Sequence, residues 1–398
     1  MTERRRIAII VHALVPGDAR IRRQTDALVD AGYEVDILCL RDAGEAAEER
    51  DGPIRIVRLP VSRRFVGFAG HIAEYLAFTA MATWRLAREH RRRQYDLVQV
   101  ATVPDFLSFA AIPEKLGNVP LLLDLHEDMP EFFRDRFARR SLRPLLPLVS
   151  GAARASAWFA DELITVHEPL RQLSIARGVP PDKISVVMNG ADAELFDPSR
   201  HPRRAFMEDG ELRLVHHSNF QRIYGLDVAI EALAQIDPAE LPLRLDVYGD
   251  GPYRPQIEAA IDRTGIADRV HLNGRVPIDD LPALLSGSDI GLVPSLPEPY
   301  MRYSLSTKLL EYASMGLPIV ASDLATFRAH FDAEAIRFVP GGDPGPLAAA
   351  IRELAADPVA AARLGAEARR QAAGYAWQLQ APRYLEVIEG LIRGRAAA

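Results

Sequence analysis

Short apolar runs recur along the chain and alternate with longer stretches in which apolar residues have helical spacing. The first run is residues 6–11, Arg6-Ile7-Ala8-Ile9-Ile10-Val11. Continuous apolar runs of this length are typical of strands buried on both faces of a parallel sheet. Residues 21–31 follow with helical spacing and stop at Gly32, which predicts a helix end. A second strand is predicted at residues 33–40, so the chain opens with a strand–helix–strand unit.

The same pattern continues in two sets, which predicts two domains. Strands of the first set are predicted at residues 96–100, 120–124, 162–166 and 184–187, and strands of the second at 212–216, 243–248, 270–272, 290–293 and 319–321. Helical segments separate these strands, so we expect an α/β fold of two Rossmann-like, doubly wound domains with parallel sheets. The predicted domains are residues 1–195 and 200–372, and a further helix is expected within residues 375–396.

Composition narrows the class of protein. The chain has 398 residues and a formal net charge of −6, so no basic excess points to nucleic acid as a partner. A single cysteine, Cys39, excludes an internal disulfide framework and a multi-cysteine zinc site. The longest apolar helical stretch, residues 72–87, contains Glu74 and Arg85 and falls short of a membrane span. We therefore expect a soluble, cytoplasmic protein.

A glycine-rich turn follows one predicted strand of the second domain. Residues 246–252 lead from that strand into Gly249 and Gly251, and a helix is predicted after Pro252. Glycine allows a ligand to approach the backbone closely, and the helix start offers free amide groups to an anion. Gly-Asp-Gly is also a common turn, so both interpretations stay open at this point.

Residues 308–323 form the segment with the strongest functional signal. They predict a helix that ends at Gly316 and a buried strand after it. Lys308 and Glu311 are three residues apart and therefore share one face of the helix. The two side chains form either a surface ion pair or part of a site. In a site, the cation and the helix amides would bind a diphosphate and the carboxylate would bind ribose hydroxyls.

One histidine follows a predicted strand of the first domain among three acidic residues. His126 lies in the segment Asp124-Leu125-His126-Glu127-Asp128. A histidine at the carboxyl end of a parallel strand is a site candidate, because ligands of such sheets bind at that edge. The spacing does not fit a recognised metal site, and the chain has no Asp-x-Asp motif.

Taken together, these segments resemble the retaining GT-B glycosyltransferases of family 4, which transfer a sugar from a nucleotide donor to an acceptor. The resemblance covers nearly the whole chain, and the order of the motifs carries it. The matching segments are residues 189–192 with Phe196, 249–252, 270–276, 288–295 and 308–318. The helix from Trp377 is similar to the one that crosses back to the N-terminal domain in that family. The implied fold is GT-B, with an acceptor-binding and a nucleotide-sugar-binding domain that face each other across a cleft.

The resemblance also implies roles for individual residues. Arg275 and Val276 would lie at the base, Glu311 would hold the ribose, and His126 would lie near the transferred sugar. The loop after the first strand would close over the diphosphate. The expected catalytic residues are His126, Glu127 and Arg222. The expected donor-binding residues are Gly17, Asp18, Arg20, Ser218, Asn219, Gly249, Gly251, Arg275, Val276, Glu298, Ser304, Lys308, Leu309 and Glu311.

Two places depart from the family's pattern. The family usually has two glutamates eight residues apart, but Tyr303 occupies the first position here, and we expect Glu298 to take that role. In the family, one loop often carries an arginine and a lysine that bind the diphosphate. Here Asn219 and Tyr224 occupy those two positions, so Arg222 and Lys308 are the cations expected near the diphosphate. The family needs no metal, so neither a metal nor another cofactor is expected.

Three basic segments of the first domain are candidates for the surface that binds the acceptor. They are residues 63–68, 85–93 and 134–143. They are either solvated helix faces or surfaces that contact an anionic membrane, where each basic residue contributes on the order of 1 kcal/mol. The expected partners are a nucleotide sugar, with uridine as the default base, and a glycan, lipid-linked or small-molecule acceptor. A nucleotide-sugar 2-epimerase and a non-catalytic sugar-nucleotide-binding protein remain alternatives.

Overall fold

The structure, a computed structural model, describes residues 4–15, 18–61, 67–136 and 140–397. The chain divides into two compact units, one formed by Met1–Asn189 with Leu379–Ala398 and the other by Gly190–Gln378. Gly17, one of the predicted donor-binding residues, lies outside the described residues, as does much of the basic segment at residues 63–68.

The first unit contains one sheet covered by helices. Its described strands are β1 (Arg6–Leu14), β2 (Glu34–Leu40), β3 (Glu48–Asp51), β4 (Ile54–Leu59), β5 (Leu97–Ala101), β6 (Leu121–Leu125), β7 (Glu162–Thr165) and β8 (Ile184–Val186). Its described helices are α1 (Ala19–Asp30), α2 (Gly67–Arg92), α3 (Ile112–Leu116), α4 (Met129–Arg136), α5 (Leu146–Phe159) and α6 (Glu168–Ala176). The strand order is β3-β4-β2-β1-β5-β6-β7-β8.

The central strands of this sheet are apolar because helices cover both faces. Ile7, Ile9 and Ile10 of β1 are fully buried, as are Leu122 and Leu123 of β6. Each central pair is parallel, so the carboxyl ends of β1, β5 and β6 share one edge. Residues that follow these strands are therefore brought together at that edge.

The second unit repeats this architecture with a smaller sheet. Its strands are β9 (Leu212–Asn219), β10 (Leu243–Asp250), β11 (Val270–Leu272), β12 (Ile290–Val293), β13 (Ile319–Ser322) and β14 (Arg337–Val339). Its helices are α7 (Leu226–Ala234), α8 (Arg254–Thr264), α9 (Leu281–Ser286), α10 (Thr307–Ser314), α11 (Ala325–Arg328), α12 (Pro344–Ala356) and α13 (Pro358–Ala372). All its strands are parallel, in the order β11-β10-β9-β12-β13-β14.

The last helix, α14 (Trp377–Ala397), starts in the second unit and packs mainly on the first. Tyr384, Ile388 and Ile392 of this helix are buried. The division between the units falls between Asn189 and Gly190, and the sequence predicts domains of residues 1–195 and 200–372. Gly190 is tightly packed, because a Cβ atom there would lie 1.8 Å from the carbonyl oxygen of Tyr375.

The structure corrects the sequence prediction at three strands. The prediction missed β3, β4 and β14, and β3 pairs antiparallel with β4 at the edge of an otherwise parallel sheet. All four residues of β3 are polar and exposed, so it carries no apolar signal. Among the described residues, none of the helices has the length and apolar character needed to cross a membrane.

Candidate active site

A histidine and a glutamate meet at the carboxyl edge of the second unit's sheet. His217 lies near the end of β9, and its Nε2 atom is 2.7 Å from Oε2 of Glu311 on α10. The other ring nitrogen, Nδ1, is 3.1 Å from the hydroxyl of Tyr312 on the same helix. Glu311 is buried, so the contact with His217 partly replaces the water that its carboxylate loses. The arrangement fixes one carboxylate at a sheet edge where ligands bind.

Lys308 is a buried cation on the first turn of α10. Its Nζ atom donates to Oγ of Ser306 at 3.2 Å and lies 4.1 Å from the ring centroid of Tyr224. Burial lowers the pKa of Lys308 to about 8, although the charge of Glu311 opposes that shift. Lys308 and Glu311 are each only 5% exposed, so the interpretation as a surface ion pair is wrong. Ser306, the residue before α10, makes no side-chain cap, so its hydroxyl does not cover the helix amides.

The two glycines after β10 are required by contacts within the chain. Gly249 has a φ of 137°, and a Cβ atom there would lie 1.9 Å from the carbonyl oxygen of Ser218. A Cβ atom on Gly251 would lie 2.5 Å from both the carbonyl oxygen of Phe220 and Oδ1 of Asn219. The loops after β9 and β10 thus pack backbone against backbone. Close approach of a ligand to the same glycines stays a prediction.

A buried histidine orients the Ser218 side chain. Nδ1 of His216 lies 3.0 Å from the carbonyl oxygen of Leu292, and Nε2 lies 2.9 Å from Oγ of Ser218. Burial, reinforced by the charge of Lys308, holds the pKa of His216 well below its usual value. The neutral ring therefore donates from Nδ1 to the carbonyl and accepts at Nε2 from the Ser218 hydroxyl.

Arg222 and Glu298 form an ion pair across two loops. Nη2 of Arg222 lies 2.7 Å from Oε1 of Glu298, and the Arg222 side chain is 52% exposed. Their loops follow β9 and β12, which are neighbours in the sheet. The two residues expected to act on the nucleotide sugar are therefore near each other, and in this structure the cation is held by the carboxylate.

The remaining predicted residues of this unit differ in exposure. Arg275 is exposed and Val276 is half-buried. The hydrogen bond from Arg254 lowers the pKa of Asp250, and the charge of Arg275 adds a smaller effect. Leu309 is fully buried inside α10, so its side chain belongs to the core. Ser304 is half-buried in the segment that precedes α10.

His126 of the first unit lies beside a buried hydrogen-bond network. Nε2 of His126 lies 2.9 Å from Oδ2 of Asp124, and the same oxygen accepts from Gln24 Nε2 at 2.7 Å. Gln99 donates from Nε2 to Gln24 Oε1 at 2.8 Å, and its own Oε1 accepts from the hydroxyl of Tyr384 at 2.5 Å. Residues of α1, β5, β6 and α14 thus support the histidine through Asp124. We call these four supporting side chains the Asp124 network.

Asp18, Arg20 and Glu127 lie beside this histidine. Asp18 precedes α1 and accepts from the backbone and the side chain of Arg20. Burial would raise the pKa of Asp18, but the charge and hydrogen bonds of Arg20 and the charge of His126 lower it far below its usual value. Burial would lower the pKa of Arg20, but the charges of Asp18, Asp124 and Glu127 raise it. The predicted residues of this unit are therefore close enough to interact electrostatically.

The sequence missed several members of both clusters. His217 contacts Glu311 and Ser306 contacts Lys308, and their only signal in the sequence is position at a strand end or before a helix start. Tyr312 lies within α10 and contacts His217. Gln24, Gln99 and Tyr384 support His126 from segments far apart in sequence. Within the described part of the chain, no three His, Cys, Asp or Glu side chains form a group that could hold a metal ion.

Two family models match the chain, one in each half. The model described as "Glycosyl transferases group 1" matches residues 211–357. The model described as "Glycosyl transferase 4-like domain" matches residues 17–190.

Curated relatives are named as glycosyltransferases. A 2-deoxystreptamine glucosyltransferase from Streptomyces kanamyceticus is 25% identical over 76% of this chain and 79% of its own length. A D-inositol 3-phosphate glycosyltransferase from Thermobispora bispora is 31% identical over 57% of this chain. The match spans only about half, 55%, of that relative's length.

Solved structures share the fold over almost the whole chain. Sucrose-phosphate synthase from Thermosynechococcus elongatus is 20% identical, with a TM-score of 0.80 over 98% of this chain and all of that chain. The Anabaena protein HepE in complex with UDP-glucose is 18% identical, with a TM-score of 0.72 over 97% of this chain and 99% of that chain. At this level of identity the likeness establishes the fold, which is GT-B.

Proposed function

Because this chain belongs to the group 1 glycosyl transferases, we propose that it transfers a sugar from a nucleotide-sugar donor, with UDP as the nucleotide, to a hydroxylated acceptor. The proposal includes retention of the anomeric configuration and no need for a metal ion. The cluster of Lys308, Glu311 and His217 at the carboxyl edge of the second unit is the observation that supports it most directly.

The cluster has the two chemical features that a nucleoside diphosphate requires. Glu311 offers a fixed carboxylate that accepts hydrogen bonds from ribose hydroxyls. Lys308 and the uncapped first turn of α10 offer a cation and amide dipoles to the diphosphate. Lys308 is buried, so its charge acts at low local dielectric and is stronger than that of an exposed lysine. On binding, the diphosphate would be an additional partner for this cation, which now contacts Ser306 and Tyr224.

Departure of the diphosphate is the step that these groups would accelerate. Its negative charge grows as the sugar leaves, and preorganised cations and amides stabilise that charge without reorganisation. Losing one such group typically costs about 3–4 kcal/mol in activation free energy. Arg222 would join them by leaving Glu298, which holds it in this structure.

Retention is proposed without a covalent intermediate. The acceptor hydroxyl attacks on the face from which the diphosphate leaves, and a diphosphate oxygen takes the acceptor's proton. His126 lies near the transferred sugar in this proposal, held in orientation by the Asp124 network. A glycosyl adduct on the protein, detected by intact-mass spectrometry after incubation with the donor, would contradict this mechanism.

Calorimetric titration of the full chain with UDP-glucose, in buffer with EDTA, tests the donor site. We expect binding that Lys308→Met and Glu311→Gln each weaken at least tenfold. Arg363→Gln, an exposed cation on α13, is the matched control and should bind as the unaltered chain does. Equal binding by all four proteins would contradict the assignment of this cluster.

Analysis of the reaction products tests the proposed sugar transfer. A screen with UDP-glucose and acceptors that include 2-deoxystreptamine and D-inositol 3-phosphate, the compounds in the relatives' names, should give a glycoside with the anomeric configuration of the donor. Proton NMR coupling constants report that configuration. A nucleotide-sugar epimerase would instead convert the donor without any acceptor, so an acceptor-free reaction distinguishes the two activities.

Contact with an anionic membrane is proposed through α2. Leu76 and Trp84 are 56% and 61% exposed on this helix, and Arg88 lies 5.5 Å from the Trp84 ring centroid. Arg85, Arg92 and Arg93 form ion pairs with Glu89 or Glu34, so less basic charge is available than the sequence suggested. Co-sedimentation with phosphatidylglycerol vesicles at low salt should be lost in Trp84→Ala. Protein that stays in the supernatant would exclude this contact.

A further inference from the structure

A cavity of about 790 Å³ lies entirely within the first unit, beside the segment that follows β6. Its lining includes Asp105, from the turn of 3-10 helix at Asp105–Ala111, and Glu127 and Asp128, between β6 and α4. Trp158 at the end of α5 and Arg177 after α6 line it from the other sides. The cavity thus brings three carboxyl groups together from two segments.

Asp105 is the buried group of this lining. The residue is 4% exposed, and its Oδ1 atom has no hydrogen-bond partner among the described residues. Burial raises the pKa of Asp105 to about 8; the charges of Asp128 and Glu127 add to the shift, and that of Arg177 opposes it. A buried polar atom without a partner costs about 1–3 kcal/mol. The position calls for a ligand that supplies a hydrogen-bond donor.

Three of the four cations that line the cavity already have partners among the described residues. Arg177 forms ion pairs with Asp128 and, at 3.0 Å, with Oε1 of Glu131. Lys183 donates to the carbonyl oxygen of Trp158 at 2.9 Å, and Arg134 pairs with Glu131. Arg154 is exposed at the lining.

Glu127, by contrast, has no hydrogen bond or ion pair within the described part of the chain. Asp105 and Glu127 therefore offer two hydrogen-bond acceptors to one cavity, and the buried Oδ1 atom of Asp105 lacks a donor among the described residues.

We propose that this cavity is an acceptor subsite that recognises a protonated amino group on a sugar or cyclitol ring, held between the carboxyl groups of Asp105 and Glu127. The inference rests on the proposed function and adds the chemical class of the acceptor. An ammonium group has three donors and no acceptor, so it satisfies both carboxyl groups at once. Trp158, 82% exposed at the lining, provides an aromatic face for the ring or its cation.

Two ligands of matched shape test the subsite. 2-Deoxystreptamine is a cyclitol with two amino groups, and myo-inositol has hydroxyls only. Calorimetric titration of the full chain in EDTA should show binding of the diamine and at least tenfold weaker binding of inositol. Asp105→Asn and Glu127→Gln should each weaken binding of the diamine at least tenfold. Asp30→Asn, which changes an exposed acid at the end of α1, should not.

The pH dependence distinguishes an amine from a neutral polyol. An ammonium group ionises Asp105 when it binds, so affinity should rise from pH 6 to pH 8 and a proton should be released. Titration in two buffers of different ionisation enthalpy measures that proton. A polyol that accepts from the protonated carboxyl would lose affinity above pH 8, and that outcome would overturn the proposal. Equal binding of the two cyclitols, or undiminished binding in both variants, would also overturn it.

Failure of the subsite and failure of the proposed function have different signatures. UDP-glucose is titrated into the unaltered chain and the Asp30→Asn variant in parallel. Binding of UDP-glucose without the diamine would reject the subsite and leave the transferase proposal standing. Binding of the diamine without UDP-glucose would reject the donor site and leave the cavity as an amine site of another function.

Discussion

Lys308 illustrates how burial sets the chemistry of a single residue. Burial lowers its pKa to about 8, so the unliganded protein holds a mixture of charged and neutral lysine near that pH. A diphosphate favours the charged form and raises the pKa on binding. Affinity for UDP-glucose should therefore be constant below pH 8 and fall by up to tenfold per pH unit above it. Calorimetric titrations from pH 6.5 to pH 9.5 check this expectation.

The Lys308→Met variant identifies the origin of that pH profile. Without the amine, UDP-glucose should bind weakly and with no inflection near pH 8. A profile that keeps its inflection in this variant would assign the titration to another group, whereas Arg363→Gln should reproduce the profile of the unaltered chain.

Burial shifts the pKa of Asp105 upward, and this shift makes the stability of the folded chain depend on pH. Its pKa is about 8 in the folded protein against 3.8 in the unfolded chain. The unfolded state therefore releases this proton first, so stability falls as pH rises from about 4 to about 8. Asp105→Asn removes that dependence. Relative to the unaltered chain, its free energy of unfolding should gain roughly 1 kcal/mol per pH unit over this range.

Urea unfolding of the first unit at pH 5, 6, 7 and 8 measures the difference between Asp105→Asn and the unaltered chain. Asp30→Asn, an exposed carboxylate, should give no such trend. A difference that stays constant with pH would show that Asp105 is ionised in the folded protein.

In the second unit the sequence predicted two residues that the structure brings together at the carboxyl edge of the sheet, but not the contacts that they make. Lys308 and Glu311 were predicted from their place on a helix that precedes a buried strand. The contact of Glu311 with His217 joins residues 94 positions apart, and the packing of Lys308 on Tyr224 joins α10 to the segment after β9. Neither contact leaves a local pattern in the sequence. Leu309 was predicted at the ligand but lies in the core, because it falls on the inner face of α10.

At the scale of elements, the Asp124 network ties α14 to the strand that carries His126. Tyr384 is fully buried, and its hydroxyl donates to Gln99, which reaches Asp124 through Gln24. Tyr384→Phe leaves an oxygen of Gln99 without this partner, at a cost of about 1–3 kcal/mol. Because Tyr384 acts through other residues, we expect kcat for sugar transfer to fall several-fold while KM for UDP-glucose is unchanged.

A second tyrosine provides the control for this prediction. Tyr375 donates its hydroxyl to the carbonyl oxygen of His330 at 3.1 Å in the second unit. Tyr375→Phe should lower stability without lowering kcat. Equal kcat in both variants would mean that Tyr384 is only a packing residue.

Strands with a continuous apolar run were predicted, whereas β3, β4 and β14 were missed; β4 carries two arginines among its apolar residues. The central strands stood out because both faces are buried. Strand β3 is polar throughout, and β14 has only three residues. Both are edge strands whose formation depends on a neighbouring strand rather than on their own residues.

At the scale of the whole molecule, α14 belongs mainly to the first unit, although the second unit lies between them in the sequence. Ending the chain after Gln378 would remove Tyr384, Ile388 and Ile392, which are buried against the first unit. Burial of each such side chain contributes about 1.5–3 kcal/mol. The first unit should therefore unfold at least 10 °C lower in calorimetry. The second unit should keep its transition and its stabilisation by UDP-glucose.

Deletion of residues 396–398 alone should change neither transition. A truncated chain that loses both transitions together would show that the units unfold as one.

The sequence by itself determined that the chain forms two α/β units, and it predicted that the site residues follow the strands. Both follow from local physics: strands buried on two faces are continuously apolar, and parallel strands end at one common edge. Tertiary structure decided which side chains meet there and how they titrate. The pairing of Glu311 with His217 and the burial of the Asp105 Oδ1 atom without a partner among the described residues arise from strands and loops that only folding brings together. Burial, which sets the pKa values of Lys308 and Asp105, is a property of packing that no single segment contains.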